Sequence, residues 1–113
     1  MHKELNNLPV AVIGAGPIGL SAAVHLLERG YAPIVFEAGE KAGANLDRWG
    51  HVRMFSPWAY NMDPAAVALL KQKGWNAPAA SEFPTGKELL DQYVTPLASH
   101  FEIARHLNLN TRI

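Results

Sequence analysis

Cysteine is absent from the 113 residues, which removes disulfide frameworks, thiolate metal sites, iron–sulfur ligation and redox-active cysteine pairs. An excess of either charge is missing too. Ten Lys/Arg balance ten Asp/Glu for a formal net charge of zero, and no stretch concentrates basic residues as a phosphate-tracking surface does. Nucleic acid is therefore not an expected partner. The mostly apolar stretch from Leu8 to Leu27 follows Lys3 as the core of a secretory leader would, but Glu4, Asn6 and the glycines tell against a leader. Ser21, His25 and the Gly/Pro content also make it a poor membrane span. The expected compartment is the cytoplasm, with no membrane partner. His2, His25, His51, His100 and His106 are scattered, and none has a second histidine three or four residues away on an expected helix, so no metal site is expected.

What is present is an ordinary globular composition, 49% apolar and 18% charged, of a length that suits one domain with a modest core. Val10-Ala-Val-Ile13 is a short apolar run after Pro9, the pattern of a parallel strand buried on both faces. Gly14-Ala15-Gly16 follows, and Pro17 suits the first turn of a helix carried on by Ile18, Leu20, Ala22, Ala23, Val24, Leu26 and Leu27. Gly30 stops it. Pro33-Ile-Val-Phe-Glu37 reads as a second strand ending in an acid, so residues 10–37 make a β-α-β unit with a right-handed crossover.

Between Ala38 and Met62 no period is sustained, and the reading is a long aromatic loop. Asp63-Pro64 looks like an N-cap and a first-turn proline, opening a helix over Ala65 to Lys73 that stops at Gly74. Thr85-Gly-Lys-Glu88 fits a capping box, and Leu89, Leu90, Tyr93, Val94 and Leu97 continue one helical face that Pro96 should kink or interrupt. Leu107 to Ile113 alternates as a half-buried strand does, and the chain stops inside that pattern, so the C-terminus is expected to be cut. The fold class expected is α/β: a Rossmann-like β-α-β unit in a parallel sheet with flanking helices, truncated.

The chemistry sits in Gly14-x-Gly16-x-x-Gly19. Alone this spacing is a weak signal, but here it follows a strand, opens a helix and is completed by Glu37, 23 residues beyond Gly14. Gly14 permits the tight turn, Gly16 keeps side-chain bulk away from a pyrophosphate, and Gly19 lets helix and strand pack closely. The helix from Pro17 aims unpaired N–H groups and its positive dipole end at the phosphates, an anion site that needs no lysine. Glu37 can accept from adenosine ribose hydroxyls and would repel a 2′-phosphate, which disfavours NADP. The bland alternative is a glycine turn in a domain that binds nothing. By itself the fingerprint does not separate the ADP half of NAD from that of FAD.

Val10 to Ala23, Phe36-Glu37-Ala38 and then Gly43 resemble the opening of the flavoproteins with two dinucleotide-binding domains, among them flavin-containing monooxygenases and pyridine-nucleotide-dependent flavin oxidoreductases. The segment Trp49-Gly-His-Val-Arg-Met-Phe-Ser-Pro-Trp-Ala-Tyr-Asn-Met-Asp-Pro64 resembles a subgroup of FAD-dependent oxidoreductases in that superfamily. The resemblance implies that residues 1–113 are the N-terminal part of an FAD-binding domain. It implies FAD as cofactor at Gly14, Ala15, Gly16, Pro17, Ile18, Gly19, Glu37, Ala38 and Arg48, with NAD(P)H as reductant held by a later region absent here. The sequence departs from the monooxygenase pattern at Ala44, where a second glycine is usual, and at Trp49, which comes late. Without cysteine, a flavin disulfide reductase is disfavoured.

His51 and Arg53 stand in the loop after the second strand and are candidates to approach flavin or substrate, against a reading as plain loop residues. Trp49, Phe55, Trp58 and Tyr60 fit loop packing better than isoalloxazine stacking, and Ser56 lacks a nucleophile elbow. No residue stands out as a catalytic acid or base. Besides the flavin oxidoreductase segment, two readings stay open: a non-catalytic module binding NAD, ADP or another adenine nucleotide, and an inactive truncated chain prone to self-association through unpaired sheet edges.

Overall fold

The computed structural model describes residues 8–113; His2, Lys3, Glu4 and Asn6 lie outside the described residues. Strand β1 (Val10–Ile13), helix α1 (Pro17–Glu28) and strand β2 (Pro33–Phe36) form the expected β-α-β unit. Val10 pairs in parallel with Pro33 and Ile13 with Phe36. A third, two-residue strand, β3 (Leu107–Asn108), pairs in parallel with β2, giving the order β1-β2-β3. The chain is thus α/β, a parallel sheet with flanking helices. Helix α1 opens with Pro17 in its first turn and is followed by Gly30 at φ +83°, a left-handed position that costs glycine no Cβ clash.

Between β2 and β3 come α2 (Ala44–Arg48), α3 (Trp58–Asn61), α4 (Pro64–Lys71), α5 (Gly86–Leu89), a π-helical turn over Leu90–Val94, α6 (Thr95–Ser99) and α7 (Phe101–Ala104). The core joins α1 to this helical layer. Leu20, Ala23 and Val24 of α1 are buried with Val35 of β2 and with Leu89, Leu90, Tyr93, Val94, Leu97 and Ile103.

Caps fix the helical layer. The Asp63 side chain accepts from Ala66 N at 3.1 Å, and Thr85 and Glu88 close a reciprocal box, Thr85 N donating to Glu88 Oε1 at 2.8 Å and Glu88 N to Thr85 Oγ1 at 3.1 Å. The Pro96 interruption takes a definite form. Proline has no N–H to give the carbonyl four residues back, and the preceding Thr95 N–H reaches Leu90 O, one residue further than an α-helix allows. The Gln92 carbonyl left free accepts from the Trp75 indole N–H at 2.8 Å.

Four expectations change. Residues 38–62 are not one long loop, because α2 and α3 lie within them. Helix α4 ends at Lys71, and Lys73 and Gly74 form a turn, with Gly74 at φ +82°. Strand β1 is covered on one face only: Ile13 is 65% exposed and Ala11 is exposed, since their side chains point away from the α1 face. The C-terminal strand stops at Asn108 because Asn110 adopts φ +54°, and the Asn110 and Thr111 amides fold back on the acid loop, Asn110 N to Gly39 O and Thr111 N to Glu37 O.

Candidate functional site

The site lies where β1 and β2 end and α1 begins. Gly14 leaves β1 at φ +96°, so an L side chain there is strained. Its N–H donates to Phe36 O at 2.7 Å, tying the turn to the end of β2. At Gly19, an added Cβ would lie 1.9 Å from Gly14 O, so the first turn of α1 rests directly on the turn that precedes it. At Gly16 an added Cβ would meet nothing within 4 Å. The two glycines therefore serve opposite ends: Gly19 admits protein backbone, and Gly16 leaves open space beside the helix N-terminus.

That helix start is unspent. Gly16 is the N-cap and offers no side-chain cap, Pro17 has no N–H, and Leu20 N is the first amide to close on a helix carbonyl, Gly16 O at 3.0 Å. The Ile18 and Gly19 amides ahead of it point out of the helix toward its positive dipole end, which favours an anion.

Glu37 braces the turn. Its Oε1 accepts from Ala15 N at 2.8 Å and its Oε2 from Gly39 N at 2.8 Å. A carboxylate offers about four acceptor positions, so half remain for hydroxyl donors. Ala15 is fully buried and commits both backbone groups, its N–H to Glu37 and its carbonyl to Gly43 N at 2.9 Å. Gly43 stands at φ +71°, and an added Cβ would come within 2.6 Å of Leu90 Cδ1. The helical layer thereby presses the start of α2 against the glycine turn.

Together these elements wall a cavity of about 530 Å³, lined by Gly14, Gly16, Pro17, Ile18, Gly19 and Glu37 and bounded also by Asn45 and Leu46 of α2 and by Trp49 just after it. Its size falls in the roughly 300–1,000 Å³ of ligand clefts. A second cavity of about 490 Å³ lies between α1, α4 and α7, lined by residues such as Leu27, Leu69 and Phe101. It has no glycine turn, and the helix N-terminus on its wall, that of α7, is capped by a side chain, His100 Nδ1 accepting from Glu102 N at 3.1 Å, so the chemistry favours the first.

Of the residues expected from sequence, Gly14, Gly16, Pro17, Ile18, Gly19 and Glu37 come together on this wall. Ala15 lies behind it as the brace just described. Ala38 and Arg48 are exposed and are not among the lining residues. Arg53 bonds the Phe83 carbonyl and pairs with Glu88 at 3.7 Å, so it ties loop to helix, and His51 is exposed. The four loop aromatics divide: Trp58 is buried, Phe55 and Tyr60 are exposed, and Trp49 both lines the cavity and packs its ring on Gly86. Asn45 and Leu46 had no signal in the sequence, because the five-residue α2 is too short to show a period.

Among the described residues two titrations are perturbed, both in the helical layer. Burial pushes the Asp63 carboxyl up, but hydrogen bonds from His25 and Ala66 and the charge of His25 outweigh it and hold the group below its ordinary value. Burial raises the phenol of Tyr93, whose Oη accepts from Asp63 N at 3.0 Å. Neither residue lines the glycine-turn cavity. Among the described residues no three His, Asp or Glu side chains converge as metal ligands, and no helix is long and apolar enough to cross a membrane.

Residues 9–107 match the family described as FAD dependent oxidoreductase. The chain is 41% identical over 49 residues to a thiamine thiazole synthase of Pyrobaculum calidifontis, covering 43% of this chain and 19% of that protein. It is 60% identical over 37 residues to the NADP(+)-dependent formate dehydrogenase subunit beta of Moorella thermoacetica, covering 33% of this chain and 5% of that one. Among solved structures, OTEMO in complex with FAD and NADP superposes with a TM-score of 0.66 at 28% identity, over 94% of this chain and 19% of that one. Oxidized steroid monooxygenase bound to NADP gives 0.69 at 26% identity, over 93% of this chain and 20% of that one. The chain spans about a fifth of the length of these structures and of the thiazole synthase.

Proposed function

The chain belongs to the FAD dependent oxidoreductase family and is an FAD-binding segment of a flavin oxidoreductase; from that premise we propose that residues 1–113 form the N-terminal part of the FAD-binding domain and hold the ADP half of the cofactor. The observation that carries the placement is the pairing of an open Gly16 with unspent helix amides on one wall of a 530 Å³ cavity that also bears Glu37. In this reading the Gly16, Ile18 and Gly19 amides and the α1 dipole hold the pyrophosphate, and the remaining lone pairs of Glu37 accept the ribose hydroxyls. Ala15 and Gly39 orient that carboxylate from behind.

Bound FAD supplies the redox chemistry, and the protein supplies binding, orientation and electrostatics. Glu37 opposes a 2′-phosphate at this position, so the site takes FAD in preference to NADP. The whole protein is proposed to be an NAD(P)H-dependent, monooxygenase-like oxidoreductase, with the reductant bound by sequence beyond these residues. The structural neighbours bound to NADP support that. The cytoplasm is the proposed compartment, where reduced pyridine nucleotide is available and a cysteine-free chain needs no disulfides.

The test is the visible absorption spectrum of the purified chain, followed by FAD titration with ADP and NAD as competitors. Flavin absorbance displaced by ADP is the expected result. Tight ADP or NAD binding without any affinity for FAD would mean an adenine-nucleotide module instead, and no binding of all three would overturn the placement.

A further inference from the structure

The cavity of about 490 Å³ between α1, α4 and α7 carries a buried polar group that the protein itself does not use. His100, the N-cap of α7, is only 7% exposed, and it lines both this cavity and an adjoining one of about 540 Å³. Its Nδ1 accepts from Glu102 N at 3.1 Å, so the proton of the neutral ring sits on Nε2. That Nε2 is buried and finds no hydrogen-bond partner among the described residues. Folded proteins seldom leave such a donor unpaired. Leu27 of α1, Leu69 of α4 and Phe101 of α7 make the wall around it apolar. The Phe101 ring stacks on the imidazole with centroids 5.3 Å apart, and at 56% exposed it is free to swing and admit a ligand.

Charge narrows what that ligand is. Glu28 and Glu102 line the cavity against one ammonium, that of Lys73, whose Nζ already stands 5.0 Å from the Phe101 ring centroid. The excess of negative charge repels a carboxylate or phosphate, so the acceptor that suits Nε2–H is an uncharged oxygen, and the two carboxylates suit N–H donors on the same molecule. A carboxamide has both. We propose that this cavity is a second ligand site, taking an uncharged, largely apolar compound with a carboxamide group, whose carbonyl accepts from His100 Nε2 and whose N–H groups face Glu28 and Glu102. It shares no lining residue with the glycine-turn cavity, so the two sites fill independently.

The probe is benzamide, with benzoate as its charged counterpart, titrated into the whole chain and followed in the proton–nitrogen correlation spectrum of the imidazoles. Benzamide is expected to bind with a Kd of about 1 mM, the range open to so small a molecule, and to shift the His100 Nε2 proton downfield. Benzoate should bind at least about tenfold more weakly, and saturating ADP should leave benzamide affinity unchanged. His100→Asn keeps an oxygen able to cap α7 but lacks the buried donor, and should weaken benzamide about tenfold. Ala68→Phe fills the cavity from an exposed position on α4 and should abolish binding with Tm unchanged. No binding of benzamide, benzoate bound as tightly, or a His100 ring protonated on Nδ1 or unmoved by the probe would each overturn the proposal. So would unchanged affinity in either variant. Displacement of benzamide by ADP would assign the probe to the glycine-turn cavity and overturn it as well.

Discussion

The glycine turn and the helical layer spend their polar groups in opposite ways. In the helical layer nearly every capping or interrupting group closes on the protein: Asp63 on His25 and Ala66, Thr85 on Glu88, Asn61 on Ser56 and Pro57, Trp75 on Gln92. At the start of α1, an N-cap without a side chain leaves its amides open. A scaffold gains stability by satisfying its donors, and a binding site keeps them for its ligand. The two regions meet at Gly43, where the side chains of Leu90 and Val94 come too close for a Cβ.

Gly19→Ala should remove scaffold stability and binding together. Its Cβ would stand 1.9 Å from Gly14 O, and backbone has no rotamer to escape by, so α1 must lift from the turn. Overpacking of that severity costs about 3 kcal/mol or more, a fall in Tm of roughly 10 °C or more for a domain of this size. Thermal denaturation followed by circular dichroism measures it, and FAD binding should be lost in the same variant. An unchanged Tm would mean that helix and turn are not in contact in solution.

Gly16→Val separates the two properties. Open space surrounds this position, and its φ of −86° suits any residue, so Tm should move by less than about 0.5 kcal/mol equivalent. The added side chain nonetheless occupies the place proposed for the pyrophosphate, and FAD affinity should fall at least about a hundredfold. Retained flavin absorbance in this variant would move the phosphate site elsewhere.

These two glycines also mark how far the sequence could be read. Their placement was legible because spacing on a strand–turn–helix carries the geometry: Gly14, Gly16 and Gly19 each stand where the motif puts them, and Glu37 directly follows β2. Thr85, Asp63 and Pro96 were legible for the same local reason, since a cap or a missing N–H acts within one turn. The α2 wall was not, because five residues give no period and its placement depends on Gly43 packing against Leu90 and Val94, about fifty residues away. Arg48 was chosen by residue type; it is exposed, and Asn45 and Trp49 are the polar residues of that stretch that line the cavity. The single-sided burial of β1 was likewise invisible, because an apolar run does not record which neighbours are present to cover it.

Trp75→Phe addresses the helical layer alone. The ring packs tilted against Tyr93, with centroids 6.5 Å apart, and phenylalanine preserves an aromatic ring there while removing the N–H that serves the Gln92 carbonyl. The cost expected is about 1 kcal/mol, read as a lower midpoint in urea with unchanged slope. FAD affinity should be unaffected, since neither residue lines the cavity. A Trp75→Phe chain that lost FAD while keeping its midpoint would show the π-helical turn acting on the site through Leu90 and Gly43.

The smallest effect expected concerns pH. Asp63 joins α4 to α1, its carboxylate capping Ala66 and accepting from His25 Nε2 at 2.9 Å. Because the folded carboxyl titrates below its ordinary value of 3.8, the folded state holds the proton less readily than the unfolded chain. The stability it contributes is therefore present above that ordinary value and is lost as pH falls through the lower, folded one. The side chain introduced by Asp63→Asn can still cap α4, since asparagine and aspartate cap about equally well, but it has no charge to lose. The unaltered chain should exceed Asp63→Asn in stability by about 0.5–1 kcal/mol near neutral pH, and urea midpoints of the two should converge on acidification below about pH 4. A gap that stayed constant with pH would mean that the His25–Asp63 contact works as a neutral hydrogen bond. In both chains ADP affinity at neutral pH should be the same, because the charge lies in the layer that supports the site and not on the wall that lines it.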